Sequence, residues 1–177
     1  MKLMLRFVLP LAALVLPVSA LAQGSSPSLT IAPIRTVVVV RGSKAPLQID
    51  LRVNRGFHVN SNHPNDELLI PTTLHLNPPD GIVITNVQYP KGEDVALAAM
   101  NEKLNVYSGD FTISGEVRIP KSAALGTLRV HGTVKYQACD NRQCFPPKTT
   151  PLEFDVKVVR PVVKKGPTYT PSSPHIH

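Results

Sequence analysis

The chain has 177 residues, with 19 Lys and Arg against 12 Asp and Glu, 18 Pro, two Cys and no Trp. Its formal charge of +7 is spread along the chain, and Lys164-Lys165 is the one doublet of basic residues. A nucleic-acid groove combines a clustered basic face with stacking aromatics. Aromatic residues make up only 5% of this chain, so the basic balance reads as a solvated surface and no nucleic-acid partner is expected.

Lys2 and Arg6 form a short positive segment, residues 7–20 are apolar, and Ala20-Leu21-Ala22 is a small-x-small cleavage site. Residues 1–22 therefore read as a secretory signal peptide, with cleavage after Ala22. The apolar run is short and carries Pro10 and Pro17, which argues against a membrane anchor. No later segment is long and apolar enough to span a bilayer, so no stable membrane insertion is expected after cleavage. Export to the periplasm, or otherwise out of the cytoplasm, puts both cysteines where a disulfide forms and persists.

Residues 23–33 read as an N-terminal lead whose last part pairs at a sheet edge. Residues 36–40 form a β-branched run closed by the turn Arg41-Gly42-Ser43. Leu47, Ile49, Leu51 and Val53 alternate with polar residues, the period of a half-buried strand. Residues 57–60 return as a short strand, and 61–67 are a polar loop. Residues 68–76 are extended but interrupted by Pro71. After the turn at residues 77–81, residues 82–89 form another strand. Residues 95–100, apolar and rich in Ala, are expected as one or two helical turns or an irregular cap. Residues 104–107 are a short strand. Phe111, Ile113, Val117 and Ile119 mark a further one, with a bulge expected at Ser114-Gly115. The clearest pattern follows: Leu128, Val130, Gly132, Val134 and Tyr136 share one face, and Leu152, Phe154, Val156 and Val158 share another. These two strands are placed to form a hairpin around the cysteines. Residues 161–177 lose the pattern and read as a disordered tail.

About nine short strands, regular turn punctuation and no strong helix predict an all-β, immunoglobulin-like antiparallel β-sandwich over residues 34–160. The two cysteines, Cys139 and Cys144, sit where the hairpin turns. A bridge between them would close a six-residue loop. The chain-entropy relation gives it about 2 kcal/mol, against about 4.7 kcal/mol for a 100-residue loop. That weakens a staple role without removing it. Arg142, between the cysteines, is placed to stabilise a thiolate, with Asp140 opposing it. Pro146-Pro147 fixes an extended exit. C-x4-C spacing lacks the C-x-x-C of thioredoxin-type sites. From spacing alone a structural disulfide, a redox couple and a metal site remain open. The histidines, His58, His63, His75, His131, His175 and His177, are dispersed and give no ligand set, so no metal and no cofactor are expected.

The stretch Tyr136-Gln137-Ala138-Cys139 through Cys144-Phe145-Pro146-Pro147-Lys148 resembles the N-terminal periplasmic domain of the thiol:disulfide interchange protein DsbD. Residues 56–62 with 69–74, and residues 104–109, resemble strand segments of the same domains. The resemblance implies an immunoglobulin-like fold and a monomer that relays reducing equivalents outside the cytoplasm. Cys139 and Cys144 would be the reactive pair, with Cys144 forming the mixed disulfide and Cys139 resolving it. Phe57, Tyr107 and Phe145 would shield the pair, and Met100 would stand in for a capping aromatic. The implied partners are thioredoxin-like periplasmic proteins. A separate membrane reductase is also implied, because the family's membrane and thioredoxin-like domains have no counterpart in this sequence. The alternative is a non-catalytic binding module with a local structural disulfide.

Overall fold

The structure is a computed structural model that describes residues 28–96 and 103–162. The expected signal peptide, the start of the lead, most of the expected cap including Met100, and the tail beyond residue 162 lie outside the described residues. Twelve strands are found among the described residues. They are β1 (Leu29–Ile31), β2 (Val37–Val40), β3 (Lys44–Val53), β4 (His58–Asn60), β5 (Thr73–Asn77) and β6 (Val83–Gln88). The others are β7 (Glu93–Ala96), β8 (Lys103–Tyr107), β9 (Asp110–Arg118), β10 (Gly126–Tyr136), β11 (Ala138–Cys139) and β12 (Lys148–Val159). No helix among the described residues is long and apolar enough to cross a membrane.

Two four-stranded sheets, ordered β1-β3-β9-β6 and β2-β12-β10-β5, carry the body of the fold. All their pairings are antiparallel except β2 with β12. Period-two alternation decides which side chains enter the core. Ile49, Ile113 and Val117 from one sheet join Val130, Val134 and Val156 from the other in one buried apolar cluster. This is the predicted immunoglobulin-like β-sandwich. Gly132 lets β5 approach β10: a Cβ there would stand 2.6 Å from the His75 carbonyl oxygen and 2.6 Å from Leu76 Cδ2.

Three local expectations are corrected. β5 begins at Thr73, because residues 68–72 follow a loop path around Pro71. Glu93–Ala96 is a strand paired with β8, so the start of the expected helical segment is extended. β9 runs unbroken through Ser114 and Gly115. The bulge lies opposite, on β6, where the register slips between Thr85 and Gln88 and Asn86 takes a φ of 53°.

The third sheet, β11-β4-β8-β7, positions the cysteines. Its strands come from three connections of the sandwich. β4 lies between β3 and β5, β7 and β8 lie between β6 and β9, and β11 lies between β10 and β12. Sequence reading found the hairpin strands but not that the connections between strands assemble a sheet of their own.

Candidate functional site at the end of the sandwich

β10 runs into β11 and β12 leaves the cysteine loop, with Tyr136 opposite Lys148 at the last pair of the hairpin. Beyond that pair, Cys139 and Cys144 are joined by a disulfide with Cα atoms 3.9 Å apart. They also face each other as an isolated antiparallel bridge. The flanking hydrogen bonds run from Asp140 N to Gln143 O at 2.9 Å and from Phe145 N to Ala138 O at 2.8 Å. This pattern makes the cysteines a non-hydrogen-bonded pair, whose own N–H and C=O groups point away from each other. The Cys139 backbone therefore faces β4, where it pairs with His58. The Cys144 backbone faces the opposite way, beyond β11, the outermost strand of the third sheet among the described residues.

The two sulfur-bearing residues differ in burial. Cys139 is 0% exposed and packs with Leu104 and Val106 in a second apolar cluster. Cys144 is half-buried and packs against that cluster from its margin, as Leu69 and Val95 also do. The loop tip is closed by Asp140, whose Oδ1 accepts from Arg142 N at 2.7 Å and Gln143 N at 2.8 Å. These backbone donors, Arg142 first, hold the Asp140 carboxyl below its ordinary value. Asp140 thus serves as the loop's cap, and Arg142 stands exposed on the tip.

Phe57 and Phe145, both half-buried, meet edge to face with ring centroids 5.8 Å apart. Tyr107 is buried, stacks on Phe111 at 4.6 Å, and hydrogen-bonds Asn62 and the Pro90 carbonyl through its hydroxyl. Burial raises its pKa. Its ring belongs to the main core cluster, and its hydroxyl joins residues 62 and 90. Among the described residues no cluster of three His, Cys, Asp or Glu is arranged to hold a metal ion.

Several residues that sequence reading did not single out hold the site together. Gln137 Oε1 accepts from Ile70 N and from Asn60 Nδ2, both at 3.1 Å, and Gln137 Nε2 donates to Phe145 O at 3.2 Å. Asn60, 0% exposed, also donates to Ile70 O at 3.1 Å. Asp94 on β7 accepts from Asn105 Nδ2 at 2.7 Å and from Asn65 Nδ2 at 3.4 Å, and these donors, Asn105 first, hold its pKa down. The only sequence signal for this brace was the density of Asn and Gln beside short apolar pairs.

The fold and site define a class: a β-sandwich bearing a local disulfide at one end, with one cysteine locked in a sheet and the other on its margin. A family model described as "Thiol:disulfide interchange protein DsbD, N-terminal" matches residues 30–155. The chain belongs to that family, and a periplasmic location accords with the membership. Among solved structures, the N-terminal periplasmic domain of ScsB from Proteus mirabilis aligns at 12% identity with a TM-score of 0.40. That alignment covers 67% of this chain and 43% of that one. The seventh ScaB type I cohesin from Pseudobacteroides cellulosolvens aligns at 10% identity with a TM-score of 0.44, covering 84% and 98%. No curated protein matches the chain.

Proposed function

We propose that the domain relays reducing equivalents by thiol–disulfide exchange through the Cys139–Cys144 couple. The observation that carries this reading is the asymmetry of the pair: Cys139 is sealed in the sheet, while Cys144 lies on its margin. A partner thiolate attacks Cys144 Sγ, the Cys139–Cys144 bond breaks, and Cys139 leaves as a thiolate that takes up the proton the partner thiol gave up. The partner's second thiolate then attacks the partner sulfur of the mixed disulfide and releases Cys144. The domain gains two electrons and two protons, and the partner becomes a disulfide. The reverse sequence reduces the next partner, with Cys144 attacking and Cys139 resolving.

The remaining roles follow from position. Arg142 is the cation beside a forming Cys144 thiolate. Phe57 and Phe145 provide an apolar screen next to Cys144, while Tyr107 braces the loop that carries Asn62. The partners are thioredoxin-like periplasmic proteins, and a separate membrane reductase supplies the electrons. Residues 34–160 are the working domain, with β1 of the preceding lead (residues 23–33) completing its first sheet, after a leader of residues 1–22 and before a tail of residues 161–177.

Trapping tests this reading. Cys139→Ser is expected to accumulate a mixed disulfide through Cys144 when mixed with an oxidised thioredoxin-like protein. Cys144→Ser is expected to accumulate far less. Equal trapping by both variants, or by neither, contradicts the assignment.

A further inference from the structure

Gln137 does more than join two loops. Its side-chain orientation is fixed by its partners: Ile70 N requires an acceptor at Oε1, and the Phe145 carbonyl requires a donor at Nε2. Asn60 is fixed in turn. Flipping its amide would set an oxygen against the Ile70 carbonyl and Gln137 Oε1, both acceptors. The consequence is that Asn60 Oδ1 is buried without a hydrogen-bond partner. What the arrangement secures is the carbonyl of Phe145, the residue immediately after Cys144.

We infer that Gln137 is a positioning residue that holds Cys144 beside Cys139 after the disulfide has opened. This inference rests on the exchange reading of the pair. When the bond is reduced, the covalent link is lost, and the segment after Cys144 contains Pro146 and Pro147, which have no N–H to anchor it. The pair Tyr136↔Lys148 and the bond from Asp140 N to Gln143 O still hold the two ends of the loop, and at Phe145, next to Cys144, two hydrogen bonds reach the Cys139 side: Phe145 N to Ala138 O, and Gln137 Nε2 to Phe145 O. Together they keep the two sulfurs close. They raise the effective concentration of Cys139 thiol at Cys144 and favour closing the ring. Cutting the Gln137 contact frees the reduced loop more than the oxidised one, so the equilibrium shifts toward the dithiol.

Gln137→Glu makes the cut selectively. A carboxylate still accepts from Ile70 N and Asn60 Nδ2 but cannot donate to Phe145 O. The equilibrium constant for forming the Cys139–Cys144 disulfide, measured against glutathione redox buffers, is expected to fall by about twofold to fivefold, the upper value being the full effect of one hydrogen bond. At about 30 mV per tenfold this is a rise of roughly 10 to 20 mV in potential. Thr72→Val is the control. It removes the bond from Thr72 Oγ1 to Asn60 O at 2.5 Å without touching Phe145, and it is expected to lower stability while leaving the equilibrium constant unchanged. A second measurement needs no variant: the Gln137 side-chain amide protons are expected to exchange slowly with solvent in both the oxidised and the reduced protein. An unchanged equilibrium constant in Gln137→Glu overturns the positioning role, as does fast exchange of those protons in the reduced form. Either result leaves the trapping experiment on Cys139→Ser standing, so the two proposals fail separately.

Discussion

In the β10–β12 hairpin, cross-strand pairs run without a break from Gly126↔Val158 to Tyr136↔Lys148, whereas β11, the strand carrying Cys139, has two. The hairpin belongs to a sandwich whose interior is one large apolar cluster. The third sheet has a small cluster of Leu104, Val106 and Cys139, and side-chain amides from Asn60, Asn105 and Gln137 do much of the remaining work. Burial of apolar surface is non-directional and scales with area, so the sandwich draws its stability from bulk. Amide hydrogen bonds contribute little net stability each but fix direction. The molecule thus separates a scaffold that resists unfolding from a site that holds two sulfurs in a set orientation.

That separation is open to attack from both sides. Ile113→Ala, at a fully buried core position, is expected to cost about 2–5 kcal/mol in urea unfolding while leaving the glutathione equilibrium constant of the cysteine pair unchanged. A parallel change in both quantities would show that scaffold and site are one cooperative unit. Replacing both cysteines by Ser is expected to cost about 2 kcal/mol, the loop-closure value for so short a ring. Hydrogen exchange locates the loss: amides of β4, β8 and β11 should lose protection while those of β10 and β12 keep theirs. Protection lost throughout β12 would contradict the division.

The smallest effect concerns Asp140. Its folded pKa is lowered, so its contribution to loop order is complete above the ordinary carboxylate value of 3.8 and is lost as pH falls through the lower folded value. Amide exchange and chemical shifts of Arg142 and Gln143 should therefore stay constant from neutral pH to about 4 and change below it. Asp140→Asn keeps an acceptor oxygen and should abolish the change. A transition centred at or above the ordinary value would mean that Asp140 does not cap the loop.

The sandwich was legible in the sequence because its strands are long enough for alternation to show. Leu47 to Val53 and Leu128 to Tyr136 declare both their extended state and their buried face. The cysteine loop was legible from Cys139, Cys144 and the two prolines. Of the third sheet, β4 and β8 were read as short strands, but β7 and β11 and the pairing of all four were not, because strands of two to five residues are too short for periodicity to show their partners. Residues 93–96 illustrate this: Glu-Asp-Val-Ala has no strand signature of its own and is extended because Asn105 and Leu104 on β8 pair with it. The brace around Gln137 was hidden for a related reason. Its partners, Asn60, Ile70 and Phe145, are scattered in sequence and meet only once the connections have assembled.

The central claim is that the Cys139–Cys144 bond is a working couple, and its reduction potential tests that most directly. The exchange reading predicts a value between the thioredoxin and disulfide-isomerase range, about −270 to −180 mV. A value below about −300 mV, where structural disulfides lie, would make the bond an inert fastening of the third sheet and contradict the account.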